Sequence, residues 1–169
     1  MKLRIRKLAN RSEAQACAQI MSASEPWITL KRNFSESLKI LLHPHREVYV
    51  ATSKAEIIGF VILQMEGTFT GYLQTIAVKA EWRNQGIGSQ LLAFAEEKIF
   101  STKSNVFLCV SSFNKKAQIL YRRLGYRKIG VLKNFIVNGH DEILLRKTIG
   151  PVVGFKKSNK QSDAGSRRT

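Results

Sequence analysis

Seven consecutive residues, Arg83-Asn84-Gln85-Gly86-Ile87-Gly88-Ser89, have the types and spacing to hold a phosphate. They follow a β-rich run and precede a helical one. A turn of that kind aims several backbone N–H groups at one point, because the first N–H groups of a helix have no intrahelical acceptor. Glycine at 86 and 88 removes the side chains that would hold an anion off the backbone, and Arg83 adds a positive charge at the rim. Two other phosphate cradles fail on spacing. A P-loop needs Lys and then Ser or Thr directly after its last glycine, where this chain has Ser89-Gln90. The dinucleotide fingerprint needs a third small residue at the position of Leu91. Taken alone, the turn is equally a plain helix start with no ligand.

A second group lies further on. Asn114, Ala117 and Tyr121 fall at i, i+3 and i+7, one face of a helix about two turns long. Asn114 stands at the helix mouth with an amide that both gives and accepts hydrogen bonds. Tyr121 carries a phenol of pKa about 10 that can hand a proton to a departing anion. By itself such a face is also an ordinary core face.

The elements that must position these groups are legible from periodicity. Lys2–Leu8 alternates as a strand, Ser12 opens a helix with Ala14, Cys17, Ile20 and Met21 inward, and Pro26 stops it. A second helix starts at Ser35. Glu47–Thr52 and Glu56–Glu66 read as a hairpin, and Tyr72–Lys79 as a third strand. A helix then runs to Phe100, followed by a buried strand at Val106–Val110 and a helix over Asn114–Leu124 that ends at Gly125. Strands Tyr126–Val137 and Glu142–Lys147 are expected to join across Asn138-Gly139. The order β-α-α-β-β-β-α-β-α-β-β predicts a mixed α/β layer fold with a central β-α-β crossover.

The 169 residues suit one domain, expected over 1–149, with a basic and mobile tail over 150–169. A content of 44% hydrophobic and 24% charged residues excludes wholesale disorder. No apolar stretch approaches the ~20 residues of a membrane helix, and no secretory signal is visible. Cys17 and Cys109 are too few and scattered for a disulfide framework or metal site, so a cytoplasmic setting is expected. Charge is the extreme number: 28 Lys and Arg against 12 acids give +16, and the tail accounts for only +4 of it. Such a field draws anions, whether nucleic acid, an acidic surface or a phosphorylated cofactor.

Together, the two motifs resemble the GNAT superfamily of N-acetyltransferases. Leu73–Phe100 is similar to its acetyl-CoA motif, Arg-x-x-Gly-x-Gly. Val110–Gly125 is similar to Asn-x-x-Ala-x-x-x-Tyr-x-x-x-Gly-Tyr/Phe, and Asp141–Thr148 looks like the last strand of many members. The resemblance spans residues 2 to 149. It implies a mostly antiparallel sheet of about seven strands with helices on both faces, two parallel strands splaying at the cofactor site. It implies acetyl-CoA as cosubstrate and no metal. The pyrophosphate would lie on the backbone of Arg83, Asn84, Gln85, Gly86, Ile87, Gly88 and Ser89. The strand edge at Ile76, Ala77 and Val78 would pair with the pantetheine arm, with the Ile76 N–H near the thioester carbonyl. Asn114, with Ala117 on its face, would bond the pantetheine, and Tyr121 would protonate the leaving thiolate.

The reaction also needs a neutral amine. At pH 7 neutralising a Lys of pKa about 10.4 costs ~4.6 kcal/mol, against about 1.4 for an α-amine near 8. Members that carry a catalytic Glu have it at positions held here by Gln74 or Thr75, or by Cys109. Glu66, the nearest carboxylate by topology, is the candidate base, or else a solvated strand-end acid. Glu25-Pro26-Trp27 lies where the family shapes its acceptor pocket, although Trp27 can also cap the core. His43-Pro44-His45 lacks a third metal ligand, and His140 is expected at the surface. The partners expected are an amine acceptor (small molecule, peptide amino terminus or protein Lys) and, as an open alternative, a second copy in a homodimer. No membrane is expected. Two other readings compete: a coenzyme A-binding regulator without turnover, and a nucleic-acid-binding protein, which lacks stacking or recognition-helix motifs.

Overall fold

The computed structural model describes residues 3–156, and most of the expected basic tail lies outside the described residues. Two asparagines start the first helices. Asn10 Oδ1 accepts from the Glu13 N–H at 3.0 Å, opening α1 (Arg11–Ser22). Asn33 and Glu36 form a reciprocal capping box at α2 (Phe34–Leu41). Each helix therefore begins one residue before the serine expected to open it. The strands are β1 (Leu3–Lys7), β2 (Glu47–Ser53), β3 (Glu56–Gln64), β4 (Tyr72–Val78), β5 (Asn105–Ser111), β6 (Arg127–Leu132) and β7 (Glu142–Thr148). Two further helices, α3 (Ile87–Phe100) and α4 (Lys115–Arg123), flank β5 in sequence.

The strands form one seven-stranded sheet in the order β1-β2-β3-β4-β5-β7-β6, and every neighbouring pair except β4–β5 is antiparallel. The alternation of each strand sends side chains to two cores. On one face Ile87, Leu91, Leu92, Ala95 and Ile99 of α3 pack on Val61, Leu63, Val106 and Leu108, with Ala117 and Tyr121 of α4 and its C-cap Leu124 against the same cluster. On the other, Ala14, Cys17, Ala18 and Met21 of α1 pack on Val50, Phe60, Ile62 and Ala77. This is the expected α/β architecture with helices on both faces. No helix among the described residues is long and apolar enough to cross a membrane.

The parallel pair is joined at one end only. Tyr72 pairs with Phe107, and the Phe107 N–H donates to the Gly71 carbonyl at 3.0 Å; no further register pair follows. Gly71 makes that junction close enough to form. Its φ is +83°, and a Cβ there would stand 2.4 Å from the Asn105 carbonyl oxygen. Beyond the junction β4 carries a bulge. Leu63 pairs with Leu73 and Ile62 with Thr75, which leaves Gln74 as the extra residue. A bulge bends its strand and raises its twist, so β4 stays with β3 and turns away from β5. The splay expected at the cofactor site is present.

One element differs. The strand expected over 126–137 ends at Leu132, and residues 133–141 form a loop in place of a tight Asn-Gly hairpin. Side chains take over the backbone donors there. Asn134 N–H donates to Asp141 Oδ1 at 3.1 Å, and Gly139 N–H donates to Asn134 Oδ1 at 2.7 Å. The hairpin strand expected to end at Glu66 likewise stops at Gln64.

Candidate active site

Where β4 and β5 part, a cleft of about 610 Å³ opens through the sheet. Its walls come from both faces. Tyr72, Gln74 and Ile76 of β4, Cys109 and Ser111 of β5, and Glu142 of β7 line it, with Asn114 at the N-cap of α4 and Ala117 and Tyr121 within it. Loops close the side beneath α1 and α2: Trp27 and Arg32 before α2, Phe69 before β4, and Phe135 and Ile136 from the loop after β6. Trp27 lines the cleft and also packs on the α1 core.

The fold brings the second motif to this cleft. Gln118 Nε2 donates to the carbonyls of Ser111 and Ser112 at 3.1 and 3.0 Å, which ties the first turn of α4 to the end of β5. Asn114 caps that helix: its Oδ1 accepts from the Ala117 N–H at 3.2 Å. The cap engages the amide oxygen and leaves the amide N–H₂ as the group with which Asn114 can bond a ligand. Tyr121 stacks edge-on against Tyr126 with centroids 5.5 Å apart, and burial pushes its phenol up to about 12.

The glycine turn forms as expected, but its residues lie outside the cleft lining, as do Ala77 and Val78; of that strand edge, Ile76 lines it. Asn84 and Gly86 take left-handed φ values of +60° and +77°. The first backbone bond of α3 runs from the Gln90 N–H to the Gly86 carbonyl at 3.1 Å. The N–H groups of Ile87, Gly88 and Ser89 therefore have no intrahelical acceptor. A Cβ on Gly86 would meet nothing within 4 Å, so the approach to that backbone is open. The Ile87 side chain is spent on the core, at 1% exposure, and contributes its main chain only. Arg83 is exposed and held in place by its Nε, which donates to the Val78 carbonyl at 3.1 Å. Gln85 Nε2 donates to the Glu81 carbonyl at 3.2 Å. An anion at this turn would meet unpaired N–H groups, a helix N-terminus and a guanidinium, which is the chemistry a diphosphate requires.

Glu66 is not brought to the site. It stands after the end of β3 with its side chain 81% exposed, 3.6 Å from His45 Nδ1, and is not among the residues lining the cleft. The carboxylate in the cleft is Glu142, 3% exposed, whose Oε1 accepts from Ser111 Oγ at 2.6 Å. Burial raises its pKa, while the Ser111 hydroxyl and the positive charge of Arg32 pull it down. Sequence reasoning placed Glu142 at the start of a strand and went no further. Alternation shows that it shares a face with Leu144; that Ser111 lies opposite is a fact of register between β5 and β7. Gln74, at the bulge, is a second cleft residue of note. Its Oε1 is buried with no hydrogen-bond partner among the described residues, so an acceptor oxygen is left for a donor from outside.

A family profile described as "Acetyltransferase (GNAT) family" matches residues 14–126, more than half of the chain. Over 148 residues the chain is 28% identical to N-alpha-acetyltransferase RimI of Mycobacterium tuberculosis, covering 83% of this chain and 89% of that protein. Among solved structures, the ribosomal-protein-S18-alanine N-acetyltransferase of Escherichia coli superposes with a TM-score of 0.71 at 19% identity, over 89% of this chain and 96% of that one. An aminoglycoside 6'-N-acetyltransferase complexed with coenzyme A does so with a TM-score of 0.70 at 21% identity, over 88% and 98%. Splayed strands, an open glycine turn and a family match across both motifs converge: the chain is an acyltransferase belonging to the GNAT family of acetyltransferases.

Proposed function

We propose that the protein transfers an acetyl group from acetyl-CoA to a primary amine by direct attack, with an α-amino group the acceptor most readily served. The observation that carries this reading is the opening between β4 and β5. Asn114 and Tyr121 stand on its wall, and the α3 N-terminus that follows β4 in the chain has N–H groups without intrahelical acceptors. Two relations support the finer points: a coenzyme A complex with the same fold, and a relative named for N-alpha acetylation. The α-amine is also the less costly acceptor, by about 3 kcal/mol of deprotonation at pH 7.

In this reading the N–H groups at residues 86 to 89 hold the pyrophosphate, with Arg83 beside them. The freed edge of β4 at Ile76–Val78 offers main-chain groups to an extended arm, as a sheet edge does to an added strand. Asn114 donates its amide to that arm. Bound acetyl-CoA supplies an activated acyl group on a thiol leaving group. Tyr121 faces that thiol and donates a hydrogen bond as negative charge develops. The loops carrying Trp27, Phe69 and Phe135 enclose the acceptor and exclude water, so that the amine is the nucleophile present.

The test is thiol release from acetyl-CoA with the full chain and an amine panel: peptides with free amino termini, amino-blocked peptides with one Lys, and small polyamines. Release matched by acetylated product, fastest for free amino termini, is the expected result. Coenzyme A binding with no release for any amine would instead identify a regulator without turnover. The absence of heat with any coenzyme A species would remove the reading altogether.

A further inference from the structure

We infer that Glu142 accepts the proton of the acceptor amine, so that the site's base is supplied by β7. This rests on the acetyltransferase reading above and adds to it the residue that makes the nucleophile.

Among the described residues Glu142 is the only acid lining the cleft, and no His or Lys lines it. The other groups there that can hold a proton are Cys109 and the phenols of Tyr72 and Tyr121, and burial raises all three above their ordinary values. Near neutral pH they are already protonated and take up nothing. Glu142 is shifted in the same direction, but from the lower starting value of a carboxylate. Burial favours its neutral form, so it holds a proton more readily than an exposed carboxylate does.

Its surroundings are those of a buried charge without a full counter-charge. Ser111 Oγ occupies Oε1 at 2.6 Å. The groups facing it are Ser111 and Cys109 on β5, Tyr72 on β4 and Arg32 from the loop before α2. No Lys or Arg nitrogen lies within 4.0 Å of it among the described residues; Arg32 acts only at longer range, and itself faces Arg46. A buried carboxylate with one hydroxyl donor is costly unless something pairs with it. An arriving ammonium is the partner that fits. Oε2 is the oxygen that Ser111 does not use, and the Ser111 bond fixes the carboxylate for one approach.

The protons balance. The ammonium gives one proton to Glu142 as an N–H bond breaks and an O–H bond forms, and Glu142 later releases it to water. The neutral nitrogen forms its bond to the acyl carbon while the carbon–sulfur bond breaks. The second proton leaves nitrogen as the amide forms and ends on the thiol.

The experiment compares wild type with Glu142→Gln, a near-isosteric change that can still accept from Ser111. With a free-amino-terminus peptide at saturating acetyl-CoA, kcat should fall about 10²-fold or more at pH 7, the usual weight of a positioned base. The deficit should shrink about tenfold per pH unit toward the amine's own pKa, as solvent deprotonates what Glu142 no longer can. Coenzyme A affinity should stay within twofold, and Glu142→Asp should recover part of the rate. A folded Glu142→Gln protein with kcat within twofold of wild type and the same pH profile would overturn the assignment. Difference infrared titration of the wild-type carboxyl band, assigned by its loss in Glu142→Gln or Glu142→Asp, gives a readout independent of turnover. A Glu142 that titrates together with the exposed carboxylates would also overturn it. A wild-type protein that binds coenzyme A but acetylates nothing fails at the level of the acetyltransferase reading, and that result is separate from an active wild type matched by its Gln variant.

Discussion

Replacing Tyr121 by Phe removes one oxygen from the cleft wall and leaves the ring, with its 5.5 Å edge contact to Tyr126, in place. The size of the effect follows from the burial of the phenol. With its pKa pushed up to about 12, Tyr121 lies ~3.5 units above a thiol near 8.5, so full transfer to a free thiolate is uphill by roughly 5 kcal/mol. In the proposed mechanism Tyr121 would therefore act as a hydrogen-bond donor to developing negative charge, with proton transfer following only as the carbon–sulfur bond breaks. A hydrogen bond to a charged group is worth about 1.5–3 kcal/mol, which is roughly a 10- to 150-fold loss in kcat. Because the charge exists only as the reaction proceeds, acetyl-CoA affinity should change less than twofold. The assay is thiol release at saturating acceptor from about pH 6 to about pH 10, paired with calorimetric titration of coenzyme A. Unchanged turnover in Tyr121→Phe would refute the role. So would a basic limb near pH 9 in wild type that vanishes in the variant, since it would mean that the phenol ionises as if exposed.

Three other perturbations have defined outcomes. Gly86→Glu puts a carboxylate where a Cβ meets nothing within 4 Å; calorimetry should show coenzyme A affinity reduced about tenfold or more, with a stability loss near the ~1–2 kcal/mol of a left-handed non-glycine residue. Gly71→Ala should be far more damaging to the fold. Its Cβ would lie 2.4 Å from the Asn105 carbonyl oxygen and 2.7 Å from Ile99 Cγ2, so strain plus overpacking predicts about 2–5 kcal/mol, read as a lower denaturant midpoint; an unmoved midpoint would contradict the pinned junction. The third concerns acid lability. Glu13 accepts from Arg6 at 2.7 and 2.9 Å, which holds its carboxyl below the ordinary range. A depressed carboxylate contributes stability above its unfolded pKa and loses it as pH falls through the folded one. Glu13→Gln should therefore lower Tm by about 2–4 °C at pH 7 for a part-exposed pair worth ~1 kcal/mol, and the two proteins should converge as pH falls through the depressed value of the folded carboxyl.

Local chemistry was written in the chain itself. The glycines at 86 and 88, the Asn114–Tyr121 spacing and the alternation of seven strands depend on near neighbours, and the resulting order of elements matches the structure. Boundaries were less legible where two local signals competed. Asn10 and Asn33 took the caps expected of Ser12 and Ser35, and the Asn134 and Asp141 side chains replaced backbone pairing that the Asn138-Gly139 signal implied. What only the tertiary structure decided was which carboxylate meets the cleft. Glu66 and Glu142 both stand next to strand ends, and nothing in their immediate neighbours separates them. The difference is made by register. The pairing of Ser111 with Glu142 draws one acid under the β4–β5 gap, whereas β3 ends at Gln64 and releases the other to water. Register is set by the packing of whole faces over long sequence separations, and so the acid that reaches the cleft is a property of the assembled sheet.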